Sequence, residues 1–205
     1  MNKRVTLHED RVIKRFDDHE HFLREKRVYD AHPDFAPTLL SDNGSDMIII
    51  ERVPGIPLIE CDTPDFHMAG GLLADLHMFQ RHKEMALTMV DTNPRNFLQG
   101  SSRGWLIDFS HIALDYPEPD LIHFLLFWAA NQPHDAFMHT CQVFIGAYRA
   151  RLPLDPGRWL SALPAVIQRF DQRRQRYGKS EKYAGNDVLR NRTFLEHSAQ
   201  QLLRP

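Results

Sequence analysis

Apolar positions at the amino terminus fall in short strand-like groups and shift to a helical period after residue 17. Val5 and Leu7 in 4–7, and Val12, Ile13 and Phe16 in 11–16, predict two strands around the polar turn His8-Glu9-Asp10. Asp17 or Asp18 is placed to cap a helix running to about His32. Its buried face is predicted to hold Phe22, Leu23 and Tyr29, with Glu25 on the Phe22–Tyr29 side at helical spacing. Pro33 and Pro37 break the chain. Two further strands, 38–40 and 47–50, then flank the turn Asp42-Asn43-Gly44-Ser45.

The pattern changes again at Glu51-Arg52-Val53-Pro54-Gly55-Ile56-Pro57-Leu58. An apolar strand running into Pro-Gly is a connector leaving a sheet, and its backbone N–H and C=O groups could face a flat heterocycle. Thr63-Pro64 supplies an N-cap and first-turn proline for the next helix, with Phe66, Ala69, Leu73 and Leu76 along one stripe. After a short apolar, polar, apolar stretch the remainder reads as helices, one opening at Asp120-Leu121 and others near 134–150, 158–176 and 187–203. The expected class is α+β in two lobes: a reduced antiparallel sheet with one helix over 1–53, and a mostly helical lobe over 54–205.

Composition narrows the class without naming a function. The chain has 205 residues, 42% hydrophobic and 25% charged, enough for one sizeable core or two modest lobes. A net charge of −2 gives no general pull towards nucleic acid or membrane. Cys61 and Cys141 stand outside any metal or redox spacing and read as two reduced thiols. Residues 1–16 lack the apolar core of a secretory signal, and 121–130, interrupted by His123, is too short to span a bilayer. A cytoplasmic protein without a membrane span is expected. Oligomeric state cannot be read from the sequence.

The chemistry concentrates in Asp91-Thr92-Asn93-Pro94-Arg95-Asn96, followed by Ile107-Asp108-Phe109-Ser110. Asp91, Asn96 and Asp108 fall at the ends of two short apolar segments joined by a turn. Phosphoryl transfer needs such a set: one carboxylate to orient the attacking hydroxyl, and an amide and a second carboxylate to hold the metal that neutralises the transferring phosphate. Each residue alone has a plainer reading. Lys14 would be a strand lysine, Glu25 a solvated helix residue, and Asn-Pro a turn dipeptide. The joint pattern makes these readings insufficient.

In order along the chain, Val12-Ile13-Lys14, Glu25, the 51–58 connector, Asp91-x4-Asn96 and Asp108-Phe109-Ser110 resemble the protein-kinase-like superfamily. The compact members are nearest: aminoglycoside and choline phosphotransferases, lipopolysaccharide-core sugar kinases and RIO-type kinases. The resemblance covers roughly residues 5–130 and includes Pro94 within the catalytic loop. It implies an ATP- and Mg2+-dependent phosphotransferase acting on a hydroxyl of a small molecule, sugar or lipid, or protein. Lys14 would bind the nucleotide phosphates and Glu25 would hold its ammonium. Glu51 and Val53 would present backbone groups to adenine. Asp91 would orient the substrate hydroxyl, and Asn96 and Asp108 would ligate Mg2+. Asp120 resembles the carboxylate that braces the catalytic loop from behind; its alternative is a helix N-cap.

Several residues depart from that pattern. The first glycine is Gly44, so residues 1–16 cannot form a Gly-x-Gly-x-x-Gly loop over phosphates, and the acidic tip His8-Glu9-Asp10 would repel a triphosphate. This opens a second class, a kinase-like pseudoenzyme or nucleotide-binding interaction module. Met89 stands where many relatives carry histidine. The short interval from Ser110 to Asp120 leaves no room for a peptide-docking platform. Arg95 could bind a γ-phosphate or an anionic acceptor, or simply pair with a nearby carboxylate. The twelve histidines include no pair at the i,i+4 spacing that zinc sites on a helix use, and no cluster combines histidine, cysteine and carboxylate at ligand intervals. Residues 169–192 hold eight Lys or Arg against three Asp or Glu, which reads as a solvated helix end or as a contact for an anionic partner.

Overall fold

The structure, a computed structural model, describes residues 4–176 and 185–197. It is α+β, with small antiparallel sheets and six helices. The chain forms two compact units, Met1–Pro64 with Arg95–Ala113, and Asp65–Pro94 with Leu114–Pro205.

The first unit begins with a four-stranded sheet of β1 (Arg4–Leu7), β2 (Arg11–Arg15), β3 (Leu39–Asp42) and β4 (Met47–Glu51), in the order β1-β2-β4-β3. Helix α1 (His19–Asp30) packs on it, capped by the Asp18 carboxylate, which accepts the Glu20 N–H at 2.8 Å. Ile48 and Ile50 of β4 are buried, and their register partners on β2 are Lys14 and Val12. Directly paired residues share a sheet face, so Lys14 is turned inward, towards α1. On α1, Phe22, Glu25, Val28 and Tyr29 are buried, whereas Leu23 is exposed. The predicted face is thereby corrected: steps of three and four from Phe22 reach Glu25 and Tyr29, while Leu23 is rotated a further 100° around the helix.

The turn falls at 43–46, one residue later than expected, because β3 runs on through Asp42. Asn43 Oδ1 accepts the N–H groups of Ser45, Asp46 and Met47, and Gly44 takes φ +74°. A second sheet of this unit joins β5 (Ile56–Pro57), β8 (Phe97–Gln99) and β9 (Gly104–Leu106). Trp105 of β9 is nearly buried, with the Arg103 guanidinium 5.0 Å from its ring. The β8–β9 hairpin joins α1 and the segment after it: Leu106 N–H donates to Phe35 O at 2.7 Å, and Phe109 packs against the Tyr29 and Phe35 rings.

The second unit is helical. It holds α2 (Phe66–Phe79), α3 (Glu118–Ala129), α4 (His134–Arg149), α5 (Pro156–Arg176) and α6 (Asn186–His197), with a short hairpin of β6 (Arg81–His82) and β7 (Met85–Thr88). The cap of α2 is Asp65, which accepts the Met68 N–H at 2.8 Å, rather than Thr63; an aspartate three residues before a free amide bonds it directly. Gly70 lets α2 and α4 approach closely, since a Cβ there would lie 2.3 Å from the Phe144 carbonyl oxygen. Phe124 of α3 stacks on Phe144 of α4 at 4.3 Å. Buried Asn191 fastens α6 by donating to the Ala129 and Gln132 carbonyls, and Trp159 Nε1 donates to Leu195 O. The stretch 198–203 of the expected last helix, and 177–184 of the basic run, lie outside the described residues. Among the described residues, no helix is long and apolar enough to cross a membrane.

Candidate active site

In the first unit, sheet and helix converge on one buried ion pair. Lys14 Nζ, 5% exposed, donates to Glu25 Oε1, and Glu25 is fully buried. The ammonium also lies 5.8 Å from the Tyr29 ring centroid. Tyr29 extends the group: its hydroxyl reaches Glu25 Oε1 at 3.5 Å, and its ring packs edge-on against Phe109, the residue after Asp108. Burial first, then the charges of Glu25 and Asp108, push the Tyr29 phenol well above its ordinary value, so it remains a proton donor. Lys14 and Glu25 are thus joined to Tyr29, a residue the sequence marks only as core, whose ring neighbour Phe109 directly follows Asp108.

Asn96 and Asp108 belong to the same end of the β8–β9 hairpin. Phe97 pairs with Leu106, and the Ile107 N–H donates to the Asn96 carbonyl at 2.9 Å, extending the ladder one residue beyond the strands. Asp108 then leaves the ladder with φ +68°, a left-handed conformation that aspartate tolerates better than most residues. Its Oδ1 accepts the Ser110 hydroxyl at 2.9 Å. Both side chains are half-buried and offer hard oxygen donors, a set suited to Mg2+. Among the described residues, no group of three or more His, Cys, Asp or Glu side chains converges, so a metal here would draw its remaining ligands from phosphate and water.

Glu51 and Val53 lie at the exit from the sheet. The Glu51 N–H donates to the Thr38 carbonyl at 2.8 Å, and the Val53 carbonyl accepts the Gly55 N–H at 2.9 Å. Arg95 pairs with Glu60 at 2.9 Å, both side chains largely exposed, which is the plainer of its two readings. The β1–β2 tip is not the acidic obstacle expected. Arg11 grips Asp10 with two bonds of 2.8 Å, and Arg52 donates to the His8 carbonyl at 2.7 Å, so guanidinium groups balance the local carboxylates.

In the second unit, the turn carrying Asp91 is held from beneath. Asp120, 2% exposed, accepts the Met89 N–H on Oδ2 at 2.6 Å and the Val90 N–H on Oδ1 at 3.0 Å, and His77 Nε2 lies 3.2 Å from the same Oδ2. This is the bracing contact, not an N-cap. His77 Nδ1 is 2.8 Å from the Tyr148 hydroxyl, whose pKa is raised by burial, so the phenol donates and Nε2–H serves the carboxylate. Val90 takes φ +63°, a costly conformation for a β-branched residue, fixed here by the amide bond to Asp120. Thr92 donates its hydroxyl proton to the Asp120 carbonyl at 2.7 Å, which leaves His123 Nδ1, 3.0 Å away, as the donor to Thr92 Oγ1. Burial lowers His123 to a pKa of about 4, against the opposing pull of Asp91 and Asp120 and with help from Arg173 and Arg169. Asp91 itself is half-exposed and lies 3.4 Å from Arg173 of α5. Two cavities of this unit, about 520 Å³ beside Ala130–Pro133 and about 260 Å³ beside Arg81 and Arg158, involve none of the expected site residues.

No family model matches the chain, and no curated protein matches it. Solved structures do. A choline/ethanolamine kinase family protein from Mesorhizobium loti is similar over 100% of this chain and 86% of its own, with TM-score 0.62 and 12% identity. A microcompartment-associated aminopropanol kinase is similar over 98% and 91%, with TM-score 0.61 and 14% identity. The chain has a protein-kinase-like fold. An amicoumacin kinase in complex with AMP-PNP, Ca2+ and Ami is similar over 96% and 88%, with TM-score 0.62 and 12% identity. At such identities the likeness speaks for the fold, that of small-molecule kinases and phosphotransferases.

Within this kinase-like fold, sequence reading missed Thr92, His123 and Arg173. Thr92 lies inside the motif that was read, but a threonine there has no distinguishing spacing. His123 was noted only as a break in an apolar run. Arg173 was counted within a basic stretch, and nothing in its neighbours pointed to Asp91.

Proposed function

We propose that this chain transfers the γ-phosphoryl group of ATP to a hydroxyl of a small molecule, with Mg2+ as the metal. The observation that carries the reading is the buried Lys14–Glu25 pair, with the Tyr29 hydroxyl 3.5 Å from the same carboxylate. A lysine and a glutamate are rarely interred for stability alone, because desolvation offsets most of their attraction. Placing one ammonium at a fixed position is a use that justifies the cost. The structural neighbours, named as kinases of choline or ethanolamine, aminopropanol and amicoumacin, support a small acceptor.

In functional terms, residues 1–53 are the reduced amino-terminal lobe and 54–205 the lobe carrying the catalytic loop. Lys14 holds nucleotide phosphates as a point charge, with Glu25 fixing its position. Backbone groups of Glu51 and Val53 take the adenine. Asn96 and Asp108 are the metal ligands, and Ser110 fixes the rotamer of Asp108. Bound Mg2+ supplies charge neutralisation at the transferring phosphate. Asp91 orients the acceptor hydroxyl. As the hydroxyl oxygen bonds to phosphorus, the bond from phosphorus to the ADP oxygen breaks with its electron pair, and the hydroxyl proton passes to Asp91.

Mg·ATP turnover against a panel of hydroxyl acceptors tests the proposal. Asp91→Ala and Asp108→Ala should each abolish transfer, and turnover that persists unchanged in both variants would overturn it. A second reading, a kinase-like module that binds nucleotide or only a partner, is favoured by the lack of any glycine before Gly44. Thermal stabilisation separates that reading into its two forms: Mg·ATP at a hundred times its Kd should add about 2.7 kcal/mol, and a pure scaffold should gain nothing.

A further inference from the structure

Helix α5 presents three arginines, Arg169, Arg173 and Arg176, at spacings of four and three, which places them along one helical stripe. The middle one reaches Asp91, with Arg173 Nη1 3.4 Å from Asp91 Oδ1 and both side chains between one third and one half exposed. Arg169 lies one helical turn before Arg173 on α5, and the charges of both, like those of Asp91 and Asp120, bear on the buried His123 ring.

Asp120 is buried and committed to backbone amides, which removes it from contact with any ligand. Of these four charged groups, those open to solvent are the Asp91 carboxylate and the Arg169 and Arg173 guanidiniums. The acid of α5 that could have offset them, Asp171, is held by Arg192 through bonds of 2.9 and 2.6 Å. A hydroxyl brought to Asp91 by a molecule carrying an ammonium group would meet this positive surface unfavourably. A molecule carrying a phosphate or carboxylate would meet the planar forks that recognise such groups bidentately.

Resting on the phosphotransferase reading, we propose that the acceptor is an anionic hydroxyl compound, its phosphate or carboxylate received by Arg173 and Arg169 while its hydroxyl is presented to Asp91. Arg173 passes from Asp91 to the ligand anion, or bridges the two, so the resting ion pair holds the guanidinium where the anion will arrive. Arg173 is in this sense a specificity-determining residue, and Arg169 its flanking partner.

Calorimetric titration of the full chain, with and without Mg·AMP-PNP, decides this. Three hydroxyl-bearing probes serve: glycerol 3-phosphate, glycerate and ethanolamine. The two anions should bind more tightly than ethanolamine. Arg173→Gln should weaken them about tenfold or more, and Arg173→Lys, which keeps a point charge, should weaken them less. A preference for glycerol 3-phosphate assigns the phosphate, and the reverse order assigns the carboxylate. Tighter binding of ethanolamine than of both anions, anion affinities unmoved by Arg173→Gln, or no anion binding at about 10 mM would each overturn the proposal. Nucleotide affinity is read in the same titrations. Its loss would count against the phosphotransferase reading, while the nucleotide-free arms still decide the question of the anion.

Discussion

Removing Lys14 tests the energetics of the buried pair directly. Lys14→Met keeps the length and packing of the side chain but deprives a fully buried carboxylate of the ammonium beside it. Breaking a buried pair from one side costs about 3–5 kcal/mol. Glu25→Leu should cost a similar amount, because it strands an ammonium that is itself only 5% exposed. In a chain of 205 residues each kcal/mol moves Tm by about 2–4 °C, so each single variant should melt roughly 10 °C lower. The double variant Lys14→Met/Glu25→Leu replaces the pair with two apolar side chains. It gives up the Tyr29 hydroxyl's bond to Glu25, worth about 1 kcal/mol, but strands no charge. The double-mutant cycle should therefore return a coupling of about 3 kcal/mol or more, with the double variant near wild type in stability and unable to bind nucleotide phosphates. The assay is thermal and urea denaturation of all four proteins. Single variants within about 1 kcal/mol of wild type, or a double variant as unstable as the sum of the singles, would refute the reasoning.

Two further predictions concern the second unit. His123 has its folded pKa lowered to about 4 from 6.5, so the unfolded chain binds the extra proton first; stability is full above about pH 6.5 and falls as pH drops towards 4, by on the order of 3 kcal/mol, and His123→Gln should flatten that part of the denaturation-versus-pH profile. Gly70→Ala should destabilise by about 1–3 kcal/mol in urea melts, because its Cβ would stand 2.3 Å from the Phe144 carbonyl oxygen and α2 must move away from α4; an unchanged midpoint would show that the two backbones are not held that closely.

Local pattern made a good deal of this legible. The short apolar group Val12-Ile13 before Lys14 gives a strand, whose pleat puts Lys14 on the face of Val12 and Phe16, and the capped helix that follows places Glu25 on the Phe22–Tyr29 side, so the Lys14–Glu25 contact follows from local geometry. Asn96 and Asp108 are adjacent for an equally local reason, since a tight hairpin brings its two ends together. The remainder depends on groups far apart in sequence. Asp120 bonds amides 31 and 30 residues upstream, and an acid in the first turn of a helix looks the same whether it caps that helix or braces another loop. Arg173 reaches Asp91 only because α5 is fixed by Trp159 and Phe170, core residues with no chemical signature. The charge at the β1–β2 tip was misjudged from counting carboxylates; Arg52, 44 residues beyond His8, returns across β4 to bond that turn.

Trp105 has a use beyond packing. Of the three tryptophans, it alone falls within the ranges of the first unit, while Trp128 and Trp159 belong to the second. A variant carrying Trp128→Phe and Trp159→Phe would have one tryptophan, excitable apart from the tyrosines at the red edge of the absorption band, three residues before Asp108 on the same strand and its continuation. Its emission would report unfolding of the first unit separately from the helical unit, and would register occupancy at the Asn96–Asp108 end of the hairpin without any added label.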